Sequence, residues 1–334
     1  MNDVGIDEKV SLFIAEFNDA RNEICVHTSG STGSPKLMSV EKSRMINSAE
    51  ATCDFLDLKK GDTALLCLTL DFIAGKMMVV RSLVRGLELI CVEPGGHPLA
   101  TIKEAPVFAA MTPLQVFNSL LVEHETALLA DIRHLIIGGG AIDESVERRL
   151  RCFKNNIWST YGMTETLSHI AMRKVNGDDR SEWYTCFNGV GVKVDDDNCL
   201  VIDAPYVCAK TLKTNDIAVI NKDNQRQFRI LGRRDNVICS GGIKIQIEEI
   251  ETVLSRYIKS DFIITKRKDV KFGEIVVLLT VDSNMDDIKR ICDEHLPKYQ
   301  RPRLFAEVMH IPLTATGKPA RKEALEIAKT LQML

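Results

Sequence analysis

Residues 134–162, HLIIGGGAIDESVERRLRCFKNNIWSTYG, contain the pattern that decides the fold. The apolar run HLII enters a glycine turn, and residues 143–153 then read as a helix with Asp143 placed as its N-cap. Residues 156–162, NIWSTYG, have the composition of a strand. A strand, a helix and a strand in this order predict a parallel βαβ unit.

The same rhythm precedes this unit. TALLCLTL (63–70) is a compact apolar run suited to a buried strand, a helix is predicted from about Lys76, and LELICVEP (87–94) is strand-like. Residues 39–58 predict a further helix. The first part of the chain is therefore expected to form an α/β domain around a parallel sheet.

The rest of the chain has a different texture. Residues 186–231 consist of short apolar segments between Asp, Asn and Gly, which predicts a β-rich subdomain of hairpins. LGRRDNVICSGG (231–242) is charged and contains glycines, so it is the expected domain boundary. Beyond it, apolar periodicity predicts helices at QIEEIETVLSRY and MDDIKRICDEHL, strands at DFIITKR, EIVVLLTV and LFAEVMHI, and a last helix. We therefore predict a two-domain α/β fold, with a large domain at 1–234 and a small C-terminal domain at 235–334.

Composition and charge exclude several classes of protein. The 334 residues are 45% apolar, which supports two filled cores, and the net charge of -3 gives no basic surplus for nucleic acid. The acidic N-terminus, MNDVGIDEKV, does not read as a signal peptide, and no apolar run approaches membrane-spanning length, so a cytoplasmic location is expected. Ten cysteines without a C-x-x-C pair are expected to be reduced thiols.

HTSGSTGSPK (27–36) is the first candidate site. Its glycines let several backbone N–H groups converge on one anion, and its hydroxyls and lysine add donors and a cation. The candidate phosphate-binding residues are Thr28, Ser29, Gly30, Ser31, Thr32, Gly33 and Lys36. The order is not that of a GxxxxGK[ST] P-loop. From these residues alone, a phosphate-binding loop and an ordinary turn both remain open.

Four further candidates each have two interpretations. Thr164 and Glu165 follow a predicted strand, where a hydroxyl beside a carboxylate suits Mg²⁺ and phosphate, but a helix cap would look the same. The glycines at 138–140 either admit a flat ring or turn the chain. Asp216 either accepts ribose hydroxyls or forms an Asx turn. Arg81 lies among apolar residues of a predicted helix and either pairs with a carboxylate or extends to the surface.

Two other readings are weaker. His27 and His169 have no Ser or Cys nucleophile and acid partner in a recognised arrangement, so a hydrolase triad is not supported. Lys318, in TATGK, would ordinarily be a solvated loop lysine.

The motifs TSGSTGSPK, GGGA, YGMTET, TND, LGRRDNVICSGG and TATGK occur in a fixed order between residues 28 and 318. Their order and spacing resemble the adenylate-forming superfamily, which contains acyl- and aryl-CoA ligases, the adenylation domains of peptide synthetases and luciferases. The resemblance implies an acid-thiol ligase. A carboxylate and ATP would give acyl-AMP and pyrophosphate, and CoA would then form the thioester. ATP, Mg²⁺ and CoA are the implied cofactor and co-substrates, and the small domain is implied to be mobile.

The resemblance also implies residue roles. The loop from Thr28 to Lys36 would bind the β- and γ-phosphates, and Thr164 and Glu165 would hold the α-phosphate and Mg²⁺, with Glu165 as metal ligand. The other implied nucleotide-binding residues are Gly138, Gly139, Gly140, Tyr161 and Gly162 near the adenine, and Asp216 and Arg233 at the ribose. Lys318 would be catalytic, Asp235 would be the hinge, and Gly241 and Gly242 would line the CoA path.

Substrate identity is implied by two segments. YGMTETLSHI and LTLDFIAGKMMVVRSLVRG look most like the o-succinylbenzoate-CoA ligases of menaquinone biosynthesis. Those enzymes place an arginine in this helix to meet the second carboxylate of the acid, and Arg81 falls at that place. Asp71 and Phe72 stand where the family usually has an aromatic residue and a histidine. Another aryl- or acyl-CoA ligase and a carrier-protein-loading adenylation module are the alternatives.

The start of the chain departs from the family. Relatives carry a further subdomain before the phosphate loop, whereas 26 residues precede His27 here. We therefore expect an N-terminally shortened large domain. A homodimer is expected to cover the apolar surface that the missing segment would leave exposed.

Overall fold

The structure is a computed structural model that describes residues 5–27, 37–314 and 319–331. The chain divides into two compact units. The first contains the described residues up to 193 together with 201–212 and 220–229, and the second contains 194–200, 213–219 and the described residues from 230 onward. The chain enters the second unit for the last time at residue 230, close to the predicted boundary at 234. Residues 194–200 and 213–219 of the β-rich region also belong to the second unit.

The first unit is built from alternating helices and strands. Its helices are α1 (Ile6–Phe17), α2 (Lys42–Phe55), α3 (Ile73–Arg85), α4 (Pro113–Ser119), α5 (Glu123–Asp131) and α6 (Glu144–Leu150). Its strands are β1 (Glu23–His27), β2 (Leu37–Glu41), β3 (Thr63–Leu66), β4 (Glu88–Cys91), β5 (Phe108–Met111), β6 (His134–Ile137), β7 (Asn156–Gly162), β8 (His169–Lys174) and β9 (Tyr184–Cys186).

The sheet of the first unit is parallel from its edge strand β4 to β7, and a parallel sheet was predicted. Strands β4, β3, β5, β6 and β7 lie side by side in this order and are parallel. β8 and β9 continue the sheet antiparallel to β7 and to each other. Buried residues of the parallel strands, including Leu65, Ala109, Leu135 and Ile157, form one apolar core with the helices. The βαβ prediction for residues 134–162 is confirmed, and the Asp143 side chain accepts the backbone N–H of Ser145 at the start of α6.

Two predicted elements are shorter than expected. Residues 39–41 belong to β2, which pairs with β1, so that α2 begins only at Lys42. β3 ends at Leu66 and not at residue 70, because the following residues turn tightly onto α3. A Cβ atom on Gly75 would lie 2.2 Å from the carbonyl oxygen of Thr69, so only glycine fits there.

The β-rich region predicted for residues 186–231 is present. It contains β10 (Gly191–Val194), β11 (Cys199–Asp203), β12 (Leu212–Ile220) and β13 (Gln227–Arg233). The division between the two units passes through these strands. Within the first unit, β13 pairs with β9 through Gln227 and Thr185 and through Phe228 and Tyr184.

The second unit is a small α/β structure, as its sequence predicted. Its strands are β14 (Val237–Ser240), β15 (Ile243–Gln246), β16 (Phe262–Asp269), β17 (Gly273–Thr280) and β18 (Leu304–Glu307), and its helices are α7 (Ile247–Leu254), α8 (Met285–His295) and α9 (Arg321–Thr330). Alternation along β16 sends Ile264 into a core with α7 and α8, and Ile263 into a separate core with α9. Both faces of the sheet are therefore covered by helices.

The segment LGRRDNVICSGG, which was predicted as the domain boundary, consists mostly of regular structure. It contains the end of β13, a short 3₁₀ turn at Arg234–Asn236, and β14. β14 pairs antiparallel with β15, and the pair Ser240 and Ile243 leaves a two-residue turn at Gly241 and Gly242.

The structure also bears on the cysteines and on membrane-spanning segments. All ten cysteines lie among the described residues and are free thiols. Within the described ranges, the structure contains no helix with the length and hydropathy of a bilayer crossing.

Candidate active site

Two predicted motifs of the first unit lie at the same edge of the sheet. Residues 138–140 follow β6, and the turn that carries Thr164 and Glu165 follows β7. β6 and β7 are parallel neighbours, with Ile137 opposite Ser159, so both motifs leave the sheet at its carboxyl end. Open α/β sheets bind ligands at this edge.

Glycine is favoured at two of these positions because other segments of the chain approach closely, and the clash is with backbone at Gly162. A Cβ atom on Gly138 would lie 2.5 Å from Thr160 Oγ1, and one on Gly162 would lie 2.3 Å from the carbonyl oxygen of Ser168. Gly139 has φ +86°, and a Cβ atom there would meet no described atom within 4 Å. The turn therefore combines tight packing at Gly138 with open backbone at Gly139.

The turn after β7 is held by Thr166. Residues Thr164–Thr166 form a 3₁₀ turn, and Thr166 Oγ1 accepts the backbone N–H of Met163 at 3.0 Å and donates to the carbonyl of Ser168 at 2.7 Å. The helix cap is thus Met163 with Thr166, and not Thr164. Thr164 is buried and Glu165 is exposed, with no partner for the Glu165 carboxylate in the part of the chain that the structure describes.

Glu165 fits the predicted magnesium ligand by its chemistry. An exposed, unpaired carboxylate oxygen at a strand end is a ligand that Mg²⁺ prefers. Among the described residues there is no cluster of three His, Cys, Asp or Glu side chains that could hold a metal. A single carboxylate suits Mg²⁺ because this ion usually binds through one or two carboxylates, water and substrate phosphates.

Tyr161 belongs to an aromatic cluster of the first unit. Its ring meets that of Phe228 edge-on at 5.0 Å, and Tyr184 stacks on Phe228 at 5.6 Å. The Tyr184 hydroxyl is 2.8 Å from Ser159 Oγ. The cluster fixes the position of Tyr161 next to the turn that carries Thr164 and Glu165.

Arg81 is buried, so the interpretation in which its side chain extends to the surface is wrong. Its relative exposure is 2%, and it lies on α3 among Met77, Met78 and Val80. No carboxylate pairs with it among the described residues, and its buried Nε atom has no hydrogen-bond partner there. Burial lowers the pKa of Arg81 to about 10, so that the guanidinium is still charged at neutral pH. Its Nη2 atom donates to Ser168 Oγ at 2.6 Å, which brings it to the turn after β7.

Three predicted residues of the second unit form one network. Arg233 Nη1 is 2.9 Å from Asp216 Oδ1, and its Nη2 is 2.8 Å from Asp235 Oδ2. The predicted ribose pair and the predicted hinge residue are therefore joined through one guanidinium. The next residue, Arg234, donates to Asp197 at 2.9 Å and to Asn215 at 2.8 Å.

Gly241 and Gly242 form the turn of the β14–β15 hairpin. Their φ angles are +57° and +84°, and two positive angles in a two-residue hairpin are the signature of a type I′ turn. The sequence analysis missed this hairpin, although Gly-Gly between the apolar segments VICS and IKIQ is a recognised hairpin signal.

Two predicted site elements lie outside the described residues. They are the loop from Thr28 to Lys36 and the residue Lys318. The described residues that flank the loop are paired, because His27 of β1 lies opposite Leu37 of β2. On either side of Lys318, Leu313 and Pro319 form a β-bridge.

Comparison with known proteins identifies the family. A family model described as "AMP-binding enzyme" matches residues 20–207. A curated 2-succinylbenzoate–CoA ligase from Listeria monocytogenes serotype 4b (strain F2365) is 25% identical over 349 aligned positions, which cover 96% of this chain and 73% of the relative.

Solved structures agree with this match. An acyl-CoA synthetase (AMP-forming)/AMP-acid ligase II-like protein from Dyadobacter fermentans is 30% identical, with a TM-score of 0.64 over 96% of this chain and 93% of its own. The o-succinylbenzoate CoA synthetase of Bacillus subtilis is 20% identical and shows the same fold. Its complex with the acyl-adenylate OSB-AMP has a TM-score of 0.75, covering 90% of this chain and 68% of that one. Its complex with ATP and magnesium ion has a TM-score of 0.72, covering 90% and 69%.

These matches test the fold and the enzyme class that the sequence predicted. The two-domain α/β fold and the class of AMP-forming acyl-CoA synthetases are confirmed. The chain belongs to the AMP-binding enzyme family, as the order of its motifs predicted.

Proposed function

We propose that the protein is an ATP-dependent acid-CoA ligase whose acid is o-succinylbenzoate. The first half-reaction joins a carboxylate to AMP and releases pyrophosphate, and the second transfers the acyl group to the thiol of CoA. The curated relatives named 2-succinylbenzoate–CoA ligase support this choice of acid. A cytoplasmic location and a homodimer remain predictions of the sequence.

The observation that carries the proposal is the buried guanidinium of Arg81. A cation removed from water without an anionic partner is costly, and no carboxylate among the described residues provides one. An acid with two carboxylates would supply the missing anion with the group that does not react. A planar guanidinium binds a carboxylate through two parallel hydrogen bonds, which suits a dicarboxylate better than a monocarboxylate.

The other predicted residues would bind the nucleotide. Tyr161 and the glycines at 138–140 would border the adenine, and Asp216 and Arg233 would take the ribose hydroxyls. The loop from Thr28 to Lys36 would bind the β- and γ-phosphates, and Gly162 would keep the turn after β7 close to β8. ATP and magnesium ion, bound in the neighbouring structure from Bacillus subtilis, support this assignment.

The chemistry requires an activated acyl group because oxide is too poor a leaving group for direct attack by a thiol. A carboxylate oxygen attacks the α-phosphorus of ATP, the bond to the bridging oxygen breaks, and pyrophosphate leaves. Lys318 and Thr164 would offset the negative charge that grows on the phosphoryl oxygens. Mg²⁺, held by Glu165, would supply further neutralisation of the phosphate charge.

The second half-reaction would use other residues of the second unit. Asp235 is the proposed hinge, and Gly241 and Gly242 would line the path of the pantetheine chain. The thiolate of CoA attacks the acyl carbon, and AMP leaves with the electron pair of the broken bond. A glycine turn suits this role because it presents backbone without side chains.

The test is a panel of carboxylic acids with ATP and CoA, followed by release of AMP and by the mass of the product. We expect o-succinylbenzoate to be the preferred acid and Arg81→Ala to remove the preference. Turnover of o-succinylbenzoate that is undiminished in Arg81→Ala would favour a ligase for another acid. Acyl transfer to a holo carrier protein but not to free CoA would instead identify a carrier-loading module.

A further inference from the structure

Arg81 is one end of a buried chain of hydrogen bonds. Its Nη2 atom donates to Ser168 Oγ at 2.6 Å, and Ser168 Oγ lies 3.2 Å from His169 Nδ1. His169 Nε2 lies 3.0 Å from Thr52 Oγ1, which donates to the backbone carbonyl of Ser48 at 3.0 Å. The chain thus crosses from α3 through β8 to α2, all within the first unit.

Three members of this chain, Thr52, Arg81 and His169, are as deeply buried as the apolar core, and Ser168 is partly buried. Thr52 is fully buried, and Arg81 and His169 have relative exposures of 2% and 7%. Polar groups at this depth are costly unless they are hydrogen-bonded. The proposed reaction uses Arg81 and leaves Thr52 and His169 without a role.

The hydrogens of the chain have a defined order. Thr52 gives its single hydroxyl hydrogen to the Ser48 carbonyl, so Thr52 Oγ1 accepts a hydrogen from His169 Nε2. The other ring nitrogen, Nδ1, is then an acceptor for the hydroxyl of Ser168. Ser168 Oγ is left as an acceptor toward the guanidinium of Arg81.

This order requires a neutral imidazole. Burial, and then the charge of Arg81, hold the pKa of His169 well below its ordinary value. The ring also meets Phe187 edge-on at 5.4 Å, which restricts its rotation. A protonated ring would present a hydrogen from both nitrogens and could not accept from Ser168.

We infer that Thr52 and His169 are positioning residues for Arg81, and that they fix the direction in which its guanidinium meets the second carboxylate of the acid. The inference rests on the proposed function. Arginine holds a carboxylate in two parallel bonds only when the plane of the fork is aligned with it. Ser168 Oγ aligns that plane, and its own direction is set by His169 and Thr52.

The first experiment compares variants of the far end of the chain. Thr52→Val removes the acceptor for Nε2 at nearly constant volume, and Thr52→Ser restores it. Ser82→Ala is the matched control, because Ser82 is buried on α3 beside Arg81 and its hydroxyl also donates to the carbonyl four residues earlier, but it is not part of the chain. The measured quantity is kcat/KM for o-succinylbenzoate relative to the monocarboxylate analogue in which the carboxylate that does not react is replaced by hydrogen.

We expect Thr52→Val to lower the preference for the dicarboxylate by up to about tenfold, the size of one buried hydrogen bond between neutral groups. Thr52→Ser and Ser82→Ala should keep the preference of the wild type. A Thr52→Val enzyme with an unchanged preference, or with an equal loss for all acids, overturns the inference. If the wild type itself shows no turnover of o-succinylbenzoate, the proposed function fails instead.

The second experiment needs no substrate. Long-range ¹H–¹⁵N correlation spectra of protein labelled in its histidine ring nitrogens report the tautomer of each ring, and His169→Gln identifies the signals of His169. We expect His169 to carry its hydrogen on Nε2 in the wild type and in Thr52→Ser, and to lose that signature in Thr52→Val. A His169 with its hydrogen on Nδ1, or a cationic ring at neutral pH, overturns the inference whatever the acid proves to be.

Discussion

Arg321 and Glu251 form a bidentate ion pair in the second unit, with Arg321 Nη1 2.6 Å from Glu251 Oε1 and Nη2 2.5 Å from Oε2. Arg321 is the first residue of α9, and its Nη1 atom also donates to the carbonyl of Ile264 at 3.0 Å. The pair therefore ties α9 to α7 and β16. Arg321 also stands three residues after Lys318, so the pair anchors the described chain that follows the proposed catalytic lysine.

We predict that Glu251→Gln lowers the free energy of unfolding by about 1–3 kcal/mol, because Arg321 loses a charge-assisted acceptor in a site that is mostly buried. Chemical denaturation measures the change. Glu326→Gln is the control, since its pair with Lys329 on α9 is exposed and should contribute less than about 0.5 kcal/mol. If both substitutions lower the free energy of unfolding equally, the pair of Glu251 and Arg321 stabilises the protein no more than an exposed ion pair does.

Gly162→Ala should destabilise the first unit by about 1–3 kcal/mol, because the added Cβ atom would lie 2.3 Å from the backbone oxygen of Ser168. The strained turn carries Thr164 and Glu165, so adenylate formation should fall as well. Gly191→Ala is the comparison, because the nearest atom to its Cβ would be 3.9 Å away. Thermal unfolding measures the stability, and AMP release measures the activity. A Gly162→Ala protein with the same stability and activity as Gly191→Ala would contradict the account of this turn.

The stability of the protein should depend on pH through His169. The unfolded chain binds a proton at this ring below its ordinary pKa of 6.5, whereas the folded protein, whose pKa is depressed by burial, does not. Stability is therefore fully present above pH 6.5 and is lost as the pH falls below it, by up to about 1.4 kcal/mol per pH unit.

The measurement is the difference between the stability curves of the wild type and His169→Gln from pH 7.5 to 5.5. Carboxylates and the other histidines are common to both proteins and cancel. We expect the wild type to lose more stability than the variant across this range. Parallel curves would mean that His169 titrates in the folded protein as it does in the unfolded chain.

Lys318→Ala should separate the two half-reactions. The proposed role of this lysine is to neutralise charge during attack on the α-phosphorus, so adenylate formation should be abolished while thioester formation from supplied acyl-adenylate is kept. Rapid-quench assays of each half-reaction measure both rates. An equal loss in the two would contradict this role for Lys318.

Local signals account for most of what the sequence predicted. The strand NIWSTYG has the predicted bounds of β7, and the Asp143 cap is present, because apolar composition and capping act over a few residues. Local patterns also predicted the elements of the small domain. There, successive residues of β16 pack into cores on opposite faces of the sheet, and each core contains a helix. The hairpin at Gly241 and Gly242 was local too, and was missed because the segment was read as a boundary.

Contacts between distant parts of the chain could not be predicted from pattern. Arg81 and Ser168 are 87 residues apart, and Thr52 and His169 are 117 apart. The periodicity of a helix does not show which residues of other elements its side chains contact. The sequence therefore left two interpretations of Arg81, exposure at the surface and pairing with a carboxylate. The network of Asp216, Arg233 and Asp235 likewise required the fold, although Asp216 and Arg233 were predicted at the ribose and Asp235 at the hinge.

The most direct test of the central claim is exchange of labelled pyrophosphate into ATP, driven by o-succinylbenzoate in the absence of CoA. The exchange reports reversible acyl-adenylate formation alone. We predict exchange in the wild type, and a fall of about 30-fold or more in its specificity for o-succinylbenzoate in Arg81→Met, from the loss of about 2–5 kcal/mol at a buried charge pair. The folded stability of this variant should be unchanged or higher, since an unpaired buried cation is removed. No exchange with o-succinylbenzoate in the wild type, or full exchange in a folded Arg81→Met protein, would contradict the account.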